Sequence, residues 1–206
     1  MKDVDLSAPN WQLESPLWAL GYTPIAGVDE AGRGALAGPV VAAAVILPAG
    51  EYPFRDSKQL GAQDRESLAA EVKRVALAWG VGSASAAEVD EVNVLRATHL
   101  AAHRALRNLA QTPSALVTDY LKLNVPCPVV AVPKGDSKSL QVAAASILAK
   151  THRDALLRLY AAEYRHYGFE KHKGYGSQQH LSALDVHGPC PLHRRTFRPV
   201  AERLRF

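Results

Sequence analysis

The sequence predicts an α/β domain in which helices flank a mixed β-sheet. Three observations support this fold class. Several short segments rich in β-branched residues have the length of strands. Strands come first along the chain and then alternate with segments of helical periodicity. The 206 residues contain no internal repeat, no low-complexity segment and no long linker. We therefore expect a single domain at 1–206, with a core at about 24–188 and a small C-terminal helical appendage at 189–206.

The elements of the first half follow from local patterns. In chain order we expect a short helix at 11–20 within a polar lead-in, strands at 24–29 and 40–47, a helix at 63–78 and a strand at 79–84. Ser85-Ala-Ala-Glu88 has the form of a capping box, which satisfies the first amides of a helix. That helix is expected to run to about Ala110, and its predicted apolar stripe contains Val89, Val92, Leu95 and His99.

The second half is predicted in the same way. Strands are expected at 114–119 and at 128–132, the second bounded by prolines. A long helix follows from about Ser139 to Tyr164. Ser177 is expected to cap a further helix that ends at Gly188.

Composition limits the class of protein. Hydrophobic residues make up 48% and charged residues 21% of the chain, which is typical of a globular protein. The net charge of +4 suits a polyanionic partner such as nucleic acid. The N-terminus lacks the apolar core of a signal peptide, and the longest apolar run, Val40 to Leu47, is too short to span a bilayer. Two cysteines, Cys127 and Cys190, form no disulfide framework. We expect a cytoplasmic protein without a membrane partner.

Acidic residues occur where a packed core should be apolar. Asp29 ends the strand Ile25-Ala-Gly-Val and is followed by Glu30, and Asp119 ends Ala115-Leu-Val-Thr. Asp154 interrupts the otherwise apolar stripe 143, 147, 150, 154, 157 and 161 of the long helix. An unpaired buried carboxylate costs several kcal/mol, so such positions point to function. For Asp154 taken alone, an internal ion pair with Lys150 on a partly exposed helix is the more common explanation.

Together these carboxylates predict a site for a hard cation. Mg²⁺ and Mn²⁺ prefer oxygen ligands. Two carboxylates about 4 Å apart repel by on the order of 4 kcal/mol at an effective dielectric of about 20, and a divalent ion offsets that repulsion. One difficulty is that Asp29 and Glu30 are adjacent and would face opposite sides of a regular strand. We expect the strand to break at the glycine-rich segment Ala31-Gly-Arg-Gly34.

The motifs resemble those of the ribonuclease HII family. The resemblance rests on Gly27-Val-Asp-Glu-Ala-Gly-Arg-Gly34, Gly38-Pro-Val-Val, Asp56-Ser-Lys-Gln-Leu60, Lys134-Gly-Asp-Ser-Lys138, Ala143-Ala-Ala-Ser-Ile-Leu-Ala-Lys150 with Arg153-Asp154, His172-Lys-Gly-Tyr-Gly176 with His180, and Gly188-Pro-Cys-Pro-Leu-His-Arg-Arg-Thr-Phe197. These motifs occur in order over about 25–198. The resemblance implies an RNase H-like fold with a C-terminal helical extension.

The resemblance also implies an activity. The family hydrolyses the RNA strand of RNA–DNA hybrids and nicks on the 5′ side of single ribonucleotides embedded in duplex DNA, leaving 5′-phosphate and 3′-hydroxyl ends. By motif position its catalytic and metal-binding carboxylates would be Asp29, Glu30, Asp119 and Asp154, with Mg²⁺ or Mn²⁺ as cofactor. The implied chemistry is two-metal hydrolysis, in which separate ions activate water and stabilise the leaving 3′-oxygen. Tyr120 stands where the family often has glycine or alanine.

Recognition of RNA is implied for a second set of residues. The family reads the ribose 2′-hydroxyl, which distinguishes RNA from DNA, with residues that correspond here to Gly32, Arg33, Gly34 and Tyr175. Without the resemblance, a Gly-Arg-Gly segment is more often a tight turn, and a lone tyrosine is more often a core or surface residue. Further candidates for contacts with backbone phosphate are Lys58, Ser137, Lys138 and Lys150. Solvated surface side chains explain these four equally well.

Two other functions remain open at this stage. The first is another metal-dependent nuclease of RNase H-like fold that cuts DNA, such as a resolvase. The second is a basic nucleic-acid-binding module without catalysis. Catalytic zinc is not expected, because His166, His172, His180, His187 and His193 lack the paired spacing of a zinc site. We expect a monomer; a contact with a sliding clamp stays open, although the sequence offers no clear C-terminal motif for one.

Overall fold

In the computed structural model, residues 8–57 and 60–204 are described. A five-stranded mixed sheet is at the centre, with the strand order β3-β2-β1-β4-β5. Its strands are β1 (Ile25–Ala31), β2 (Val40–Ile46), β3 (Ala78–Ala84), β4 (Ala115–Asp119) and β5 (Val129–Val132). β1, β2 and β3 are antiparallel neighbours, whereas β1, β4 and β5 run parallel. The prediction of a mixed α/β sheet flanked by helices is confirmed.

Helices cover both faces of the sheet. They are α1 (Ser15–Ala19), α2 (Ala62–Val75), α3 (Ala86–Val92), α4 (Val94–Arg107), α5 (Leu140–Glu163), α6 (Phe169–His172), α7 (Gln178–His187) and α8 (Arg198–Ala201). α4 packs against β2 and β3 on one face, and α5 packs against β1 and β2 on the other. In the part of the chain that is described, no helix combines the length and apolar character that a membrane crossing requires.

The helix expected from Ser85 to about Ala110 is two helices, so that prediction was wrong. The capping box is present, with Ser85 and Glu88 bonded to each other's backbone amides. The chain then breaks at Asn93, whose positive φ of 69° cannot continue a helix. The Asn93 side chain caps α4 instead. The break rotates the buried face, so Leu95 is exposed and a stripe of small residues, including Ala97, Ala101 and Ala105, is buried.

α5 is the long helix that carries part of the site. It begins after Ser139, whose hydroxyl caps it, and it ends before Tyr164, as predicted. Its first half is buried and approaches β1 closely at Gly27, where an added Cβ would lie 2.2 Å from the Gln141 carbonyl carbon. The Gln141 side chain bridges β1 and β2 by donating to the Ile25 carbonyl and accepting from the Leu47 amide, both at 2.8 Å. These contacts fix the start of α5 relative to the amino-terminal half of β1.

The C-terminal segment is not a separate appendage in space. α8 has only four residues, and Cys190 and Val200 lie in the same apolar cluster as Phe169 and Leu184. α7 begins after its cap Ser177 and ends before Gly188, as predicted. The segment after Gly188 therefore packs into the body of the fold.

Candidate active site

An acidic group lies at one edge of the sheet. The carboxyl ends of the parallel strands β1, β4 and β5 meet at this edge, which is where α/β sheets commonly bind ligands. Asp29 is on β1, Asp119 ends β4, and Asp136 lies in a short turn after β5. One carboxylate oxygen from each of the three lies within 4.8 Å of the others. Such a group of oxygens suits a hard divalent cation.

Asp29 is a buried carboxylate with other carboxylates close to it. The residue is 4% exposed. Burial raises the pKa of Asp29 well above its ordinary value, and the Glu30 and Asp119 carboxylates raise it further, while a hydrogen bond with Ser146 acts in the opposite direction. A divalent cation at this position would reverse the effect by favouring the ionised carboxylate.

The turn that contains Asp136 is hydrogen-bonded to Asp119, which brings the two residues together. The Gly135 amide donates to Asp119 Oδ1 at 3.0 Å, and Gly135 precedes Asp136. An added Cβ at Gly135 would lie 3.1 Å from Asp119 Cα, so a small residue lets the turn approach the end of β4. Sequence reasoning did not select Asp136. The signal was present, because Asp136 follows the strand next to β4 and lies within the Lys134-Gly-Asp-Ser-Lys138 motif.

Asp154 was predicted as the fourth carboxylate, and the structure does not group it with Asp29 and Asp119. Its oxygens lie 2.7 Å from Lys150 Nζ and 3.4 Å from Arg65 Nη1. Both partners are largely buried, so these two cations neutralise Asp154. The internal Lys150–Asp154 pair that the helical spacing allowed is therefore present. Among the described residues, Asp136 provides the third carboxylate of the group that contains Asp29 and Asp119.

Glu30 lies next to Asp29 without a break in the strand. β1 continues through Glu30, which pairs in register with Ala42, and ends at Ala31, so the strand breaks at the start of the Ala31–Gly34 segment, as expected. The two carboxylates start from opposite faces, yet both line one pocket of about 460 Å³ at the strand end. Glu30 Oε1 accepts from Arg33 Nη1 at 3.2 Å, which ties the carboxylate to the following loop.

The same pocket collects the predicted readers of RNA. Its wall contains Gly32, Arg33, Gly34, Lys150 and Tyr175 in addition to the carboxylates. Gly32 has a φ of +91°, and a Cβ there would lie 2.0 Å from Arg153 Nε, so no other residue fits. Three residues that sequence reasoning did not select, Ser57, Arg65 and Ser146, also line the pocket.

Tyr175 lines this pocket, and its ring lies close to the cationic side chains of Lys150 and Arg153. The side chain is 37% exposed. Lys150 Nζ lies 5.6 Å from the centre of its ring, and the Arg153 guanidinium carbon lies 5.3 Å from it. Cation–π contacts of this kind stabilise a ring by roughly 0.5–2 kcal/mol.

Two buried arginines, which sequence reasoning did not assign to the site, support its loops. Arg153 donates to the carbonyls of Ala37, Pro39 and Lys173 at 2.9–3.1 Å. Arg194 donates to backbone carbonyls of the Gly-Arg-Gly segment. Burial lowers the pKa of Arg194 to about 9, so the guanidinium stays charged at neutral pH.

The predicted phosphate contacts are not all at the pocket. Lys150 lines it, although its ammonium also pairs with Asp154. Ser137 donates to the Lys134 carbonyl at 2.9 Å, and neither Ser137 nor Lys138 is among the residues that line the pocket. Lys58 lies outside the described residues.

Comparison with known proteins gives a consistent result. A family model described as ribonuclease HII matches residues 26–200. The chain is 58% identical over 195 residues to a ribonuclease HII of Thermus thermophilus, covering 94% of this chain and 96% of that one. It resembles the crystal structure of ribonuclease H2 from Pyrococcus horikoshii OT3 with a TM-score of 0.75 and 26% identity, over 88% of this chain and 97% of that chain. A PCNA:RNase HII complex from Archaeoglobus fulgidus contains a similar chain, with a TM-score of 0.73 and 25% identity over the same shares. The RNase H-like fold implied by the motifs is thereby confirmed.

Proposed function

Because the chain belongs to the ribonuclease HII family, whose members are metal-dependent ribonucleases, we propose that it cuts at ribonucleotides in two kinds of duplex. In RNA–DNA hybrids it hydrolyses the RNA strand. In duplex DNA it nicks on the 5′ side of a single embedded ribonucleotide. Both reactions leave 5′-phosphate and 3′-hydroxyl ends.

One observation carries this proposal. The acidic group and the predicted readers of the 2′-hydroxyl share one pocket, with Asp29 and Asp119 on one side and the Gly-Arg-Gly segment and Tyr175 on the other. A DNA-cutting nuclease of this fold needs the carboxylates but no group that selects ribose. A binding module has no use for a carboxylate cluster beside phosphate, because the charges repel.

We assign the metal ligands to Asp29, Asp119 and Asp136, with Glu30 as a further ligand at the same pocket. The donors are all carboxylate oxygens, which favours Mg²⁺ or Mn²⁺ over softer ions. The chemistry that divalent ions supply when bound is activation of the attacking water and stabilisation of the leaving 3′-oxygen, in the two-metal pattern. Asp154 is left out of this set because Lys150 and Arg65 already neutralise it.

The remaining pocket residues bind and orient the nucleic acid. The Gly32–Gly34 backbone and the Tyr175 hydroxyl contact the ribose 2′-hydroxyl, so a deoxyribose at this position loses those hydrogen bonds. Lys150 contacts phosphate, which positions the duplex without reading its sequence. The same role is proposed for Ser137, Lys138 and Lys58.

Cleavage of a duplex with one embedded ribonucleotide tests this function. The substrate is compared with the all-DNA duplex of the same sequence, with Mg²⁺, with Mn²⁺ and with chelator. We expect one nick on the 5′ side of the ribonucleotide, only with metal and only in the first duplex. Equal cleavage of both duplexes would favour a DNA nuclease, and binding without cleavage under all conditions would favour a binding module.

The cellular setting that fits this function is ribonucleotide excision repair. We propose a single-domain monomer that acts in the cytoplasm on genomic DNA. PCNA accompanies the archaeal structural relative. A sliding clamp stays open as a partner of this chain, although its sequence offers no clear C-terminal motif for one.

A further inference from the structure

The segment Leu192–Arg194 runs alongside the loop that follows the Gly-Arg-Gly segment. The Gly38 amide donates to the Leu192 carbonyl at 2.8 Å, and the Arg194 amide donates to the Leu36 carbonyl at 2.9 Å. Ala37 and His193 form an antiparallel bridge between them. The C-terminal tail after Gly188, which contains this segment, is therefore hydrogen-bonded to the loop that follows the Gly-Arg-Gly segment. The groups proposed to read the 2′-hydroxyl, the Gly-Arg-Gly segment and Tyr175, are together called the reader, and the tail supports one with Arg194 and the other with His193.

Arg194 supports the Gly-Arg-Gly part. The residue is fully buried. Its guanidinium donates to the Gly32 and Arg33 carbonyls, both at 2.8 Å, and to the Gly38 carbonyl at 2.9 Å. The rigid fork of an arginine can hold several carbonyls in one arrangement, which the single ammonium of a lysine cannot do.

His193 supports the Tyr175 part through a second histidine. His180 Nδ1 lies 2.9 Å from the Tyr175 carbonyl, and a carbonyl can only accept, so this nitrogen carries the proton. His180 Nε2 must then accept, and His193 Nε2, 2.9 Å away, is its donor. The remaining nitrogen, His193 Nδ1, accepts from the Cys190 amide at 3.0 Å. With both rings neutral, these partners assign one tautomer to each ring; His193 Nδ1 also lies 3.3 Å from the Cys190 carbonyl, which is a longer contact than that to the amide.

The surroundings maintain this neutral pair. His180 and His193 are 0% and 2% exposed, and both rings lie against the Phe169 ring. Burial lowers the pKa of both groups to about 4. A proton added to His180 Nε2 would place two N–H groups against each other across the 2.9 Å contact. At neutral pH the series of hydrogen bonds from the Cys190 amide through His193 and His180 to the Tyr175 carbonyl is therefore intact.

We propose that His193 and Arg194 are positioning residues for ribose recognition, with Arg194 fixing the Gly-Arg-Gly backbone and His193 fixing Tyr175 through His180. This inference rests on the proposed reading of the 2′-hydroxyl by those groups. It assigns to the C-terminal tail a part in choosing RNA over DNA, whereas the metal-binding carboxylates lie at the sheet edge and in the turn after β5.

The tail is also anchored independently of these two side chains. Asp90 accepts from the Arg195 and Thr196 amides at 2.8 and 2.9 Å and from the Thr196 hydroxyl at 2.6 Å. Substituting His193 therefore removes its support of Tyr175 without releasing the tail from α3. This separation makes the proposal testable by single substitutions.

The test compares His193→Leu, which keeps much of the volume without a donor, with His193→Gln, whose amide can donate to His180. The matched control is His187→Ala, an exposed histidine of the same region. Each variant is assayed for cleavage of the single-ribonucleotide duplex with Mg²⁺ and for binding of the all-DNA duplex with chelator. His193→Leu should reduce kcat/KM by about tenfold or more, since small misplacements in a site have effects of that size or larger. Binding of all-DNA duplex should not change, and His193→Gln should recover most of the loss.

Arg194 is tested by the same two measurements. Arg194→Lys keeps the positive charge without the fork, and Arg195→Ala on the exposed neighbour is its control. We expect Arg194→Lys to lower kcat/KM on the ribonucleotide duplex while all-DNA binding holds. Behaviour equal to that of Arg195→Ala would overturn the assignment of Arg194.

A double-mutant comparison shows whether His193 acts through Tyr175. In a Tyr175→Phe background the further effect of His193→Leu should shrink to less than about threefold, because residues that act through one group are not additive. Additive effects, or a His193→Leu enzyme equal to His187→Ala, would overturn the inference. If Tyr175→Phe itself left cleavage unchanged, the proposed reader would fail, which is a separate result. Should His193→Leu not fold, failure of His193→Gln to bind or cleave better than His193→Ala would count against the proposal.

Discussion

Replacing Asp136 by asparagine should stabilise the metal-free protein while abolishing its activity. The Asp136 carboxylate lies within 4.8 Å of those of Asp29 and Asp119. Two full charges at that distance repel by about 3 kcal/mol at an effective dielectric of about 20. Asparagine has the same shape without the charge. Only ionised pairs repel, and burial raises the pKa of Asp29, so the expected gain is smaller, about 1–3 kcal/mol in free energy of unfolding.

Asp154→Asn should have the opposite effect on stability. Its carboxylate is 9% exposed and is paired with Lys150 at 2.7 Å and Arg65 at 3.4 Å. Breaking a largely buried ion pair leaves cations without a partner and typically costs about 3–5 kcal/mol. Lys150 and Arg65 retain some access to water, so we expect a loss of about 2–3 kcal/mol.

Both variants are measured by urea unfolding in chelator and by cleavage of the single-ribonucleotide duplex with Mg²⁺ at a temperature where both are folded. Asp136→Asn should unfold at higher urea and show no cleavage. Asp154→Asn should unfold at lower urea and keep cleavage. If Asp154→Asn were inactive but still bound duplex, and Asp136→Asn still cut it, the metal-ligand assignment would be refuted in favour of Asp154.

Three further outcomes are expected. Acid should destabilise the protein through His180 and His193: their pKa is about 4 in the fold against 6.5 in the unfolded chain, so stability present above pH 6.5 is lost toward pH 4 by about 1.4 kcal/mol per pH unit for each histidine. Urea unfolding of the wild type and His193→Leu should show the shallower pH slope in the variant. Tyr120→Gly should raise the free energy of unfolding by about 1 kcal/mol, because Tyr120 is 69% exposed with a φ of 58°; an unchanged urea midpoint would count against backbone strain. Gly32→Ala should lower both stability and cleavage, because its Cβ would lie 2.0 Å from Arg153 Nε, and wild-type melting and turnover would contradict that contact.

Part of the site could be predicted from the sequence for a simple physical reason. Asp119 ends an apolar strand and Asp29 lies near the end of another, and a charge at such a place is expensive without a partner. Asp136 could not be found by that argument, since it lies in a turn rather than in a regular element. Its signal was positional, because it follows β5, and parallel neighbours end at the same edge of a sheet. The periodicity of α5 correctly placed Asp154 beside Lys150 but could not say whether the pair also bound metal.

The helices show the same division between local and distant information. Ser85 and Ser177 were identified as caps because a cap depends on residues within one turn. The break at Asn93 was missed, because apolar residues continue through it at nearly helical spacing. Asn93 has its own local signal, since its side chain accepts from the Leu95 and Arg96 amides. An interpretation that relies on apolar periodicity and ignores the cap at Asn93 predicts one helix where there are two.

The largest difference concerns the tail, which the sequence presents as a basic appendage. Arg194 reaches Gly32 across 162 positions of the chain, and no local periodicity reports a contact over that distance. The contact matters because it shows that the two parts of the site, the carboxylates and the reader, are supported by different parts of the fold. The carboxylates depend on the ends of the buried strands β1 and β4 and on the turn after β5, whereas the reader depends on loops joined by Arg153, Arg194 and the His180–His193 pair. Substitutions behind the reader should therefore alter the choice between ribose and deoxyribose before they alter metal binding, and substitutions at the sheet edge should do the reverse.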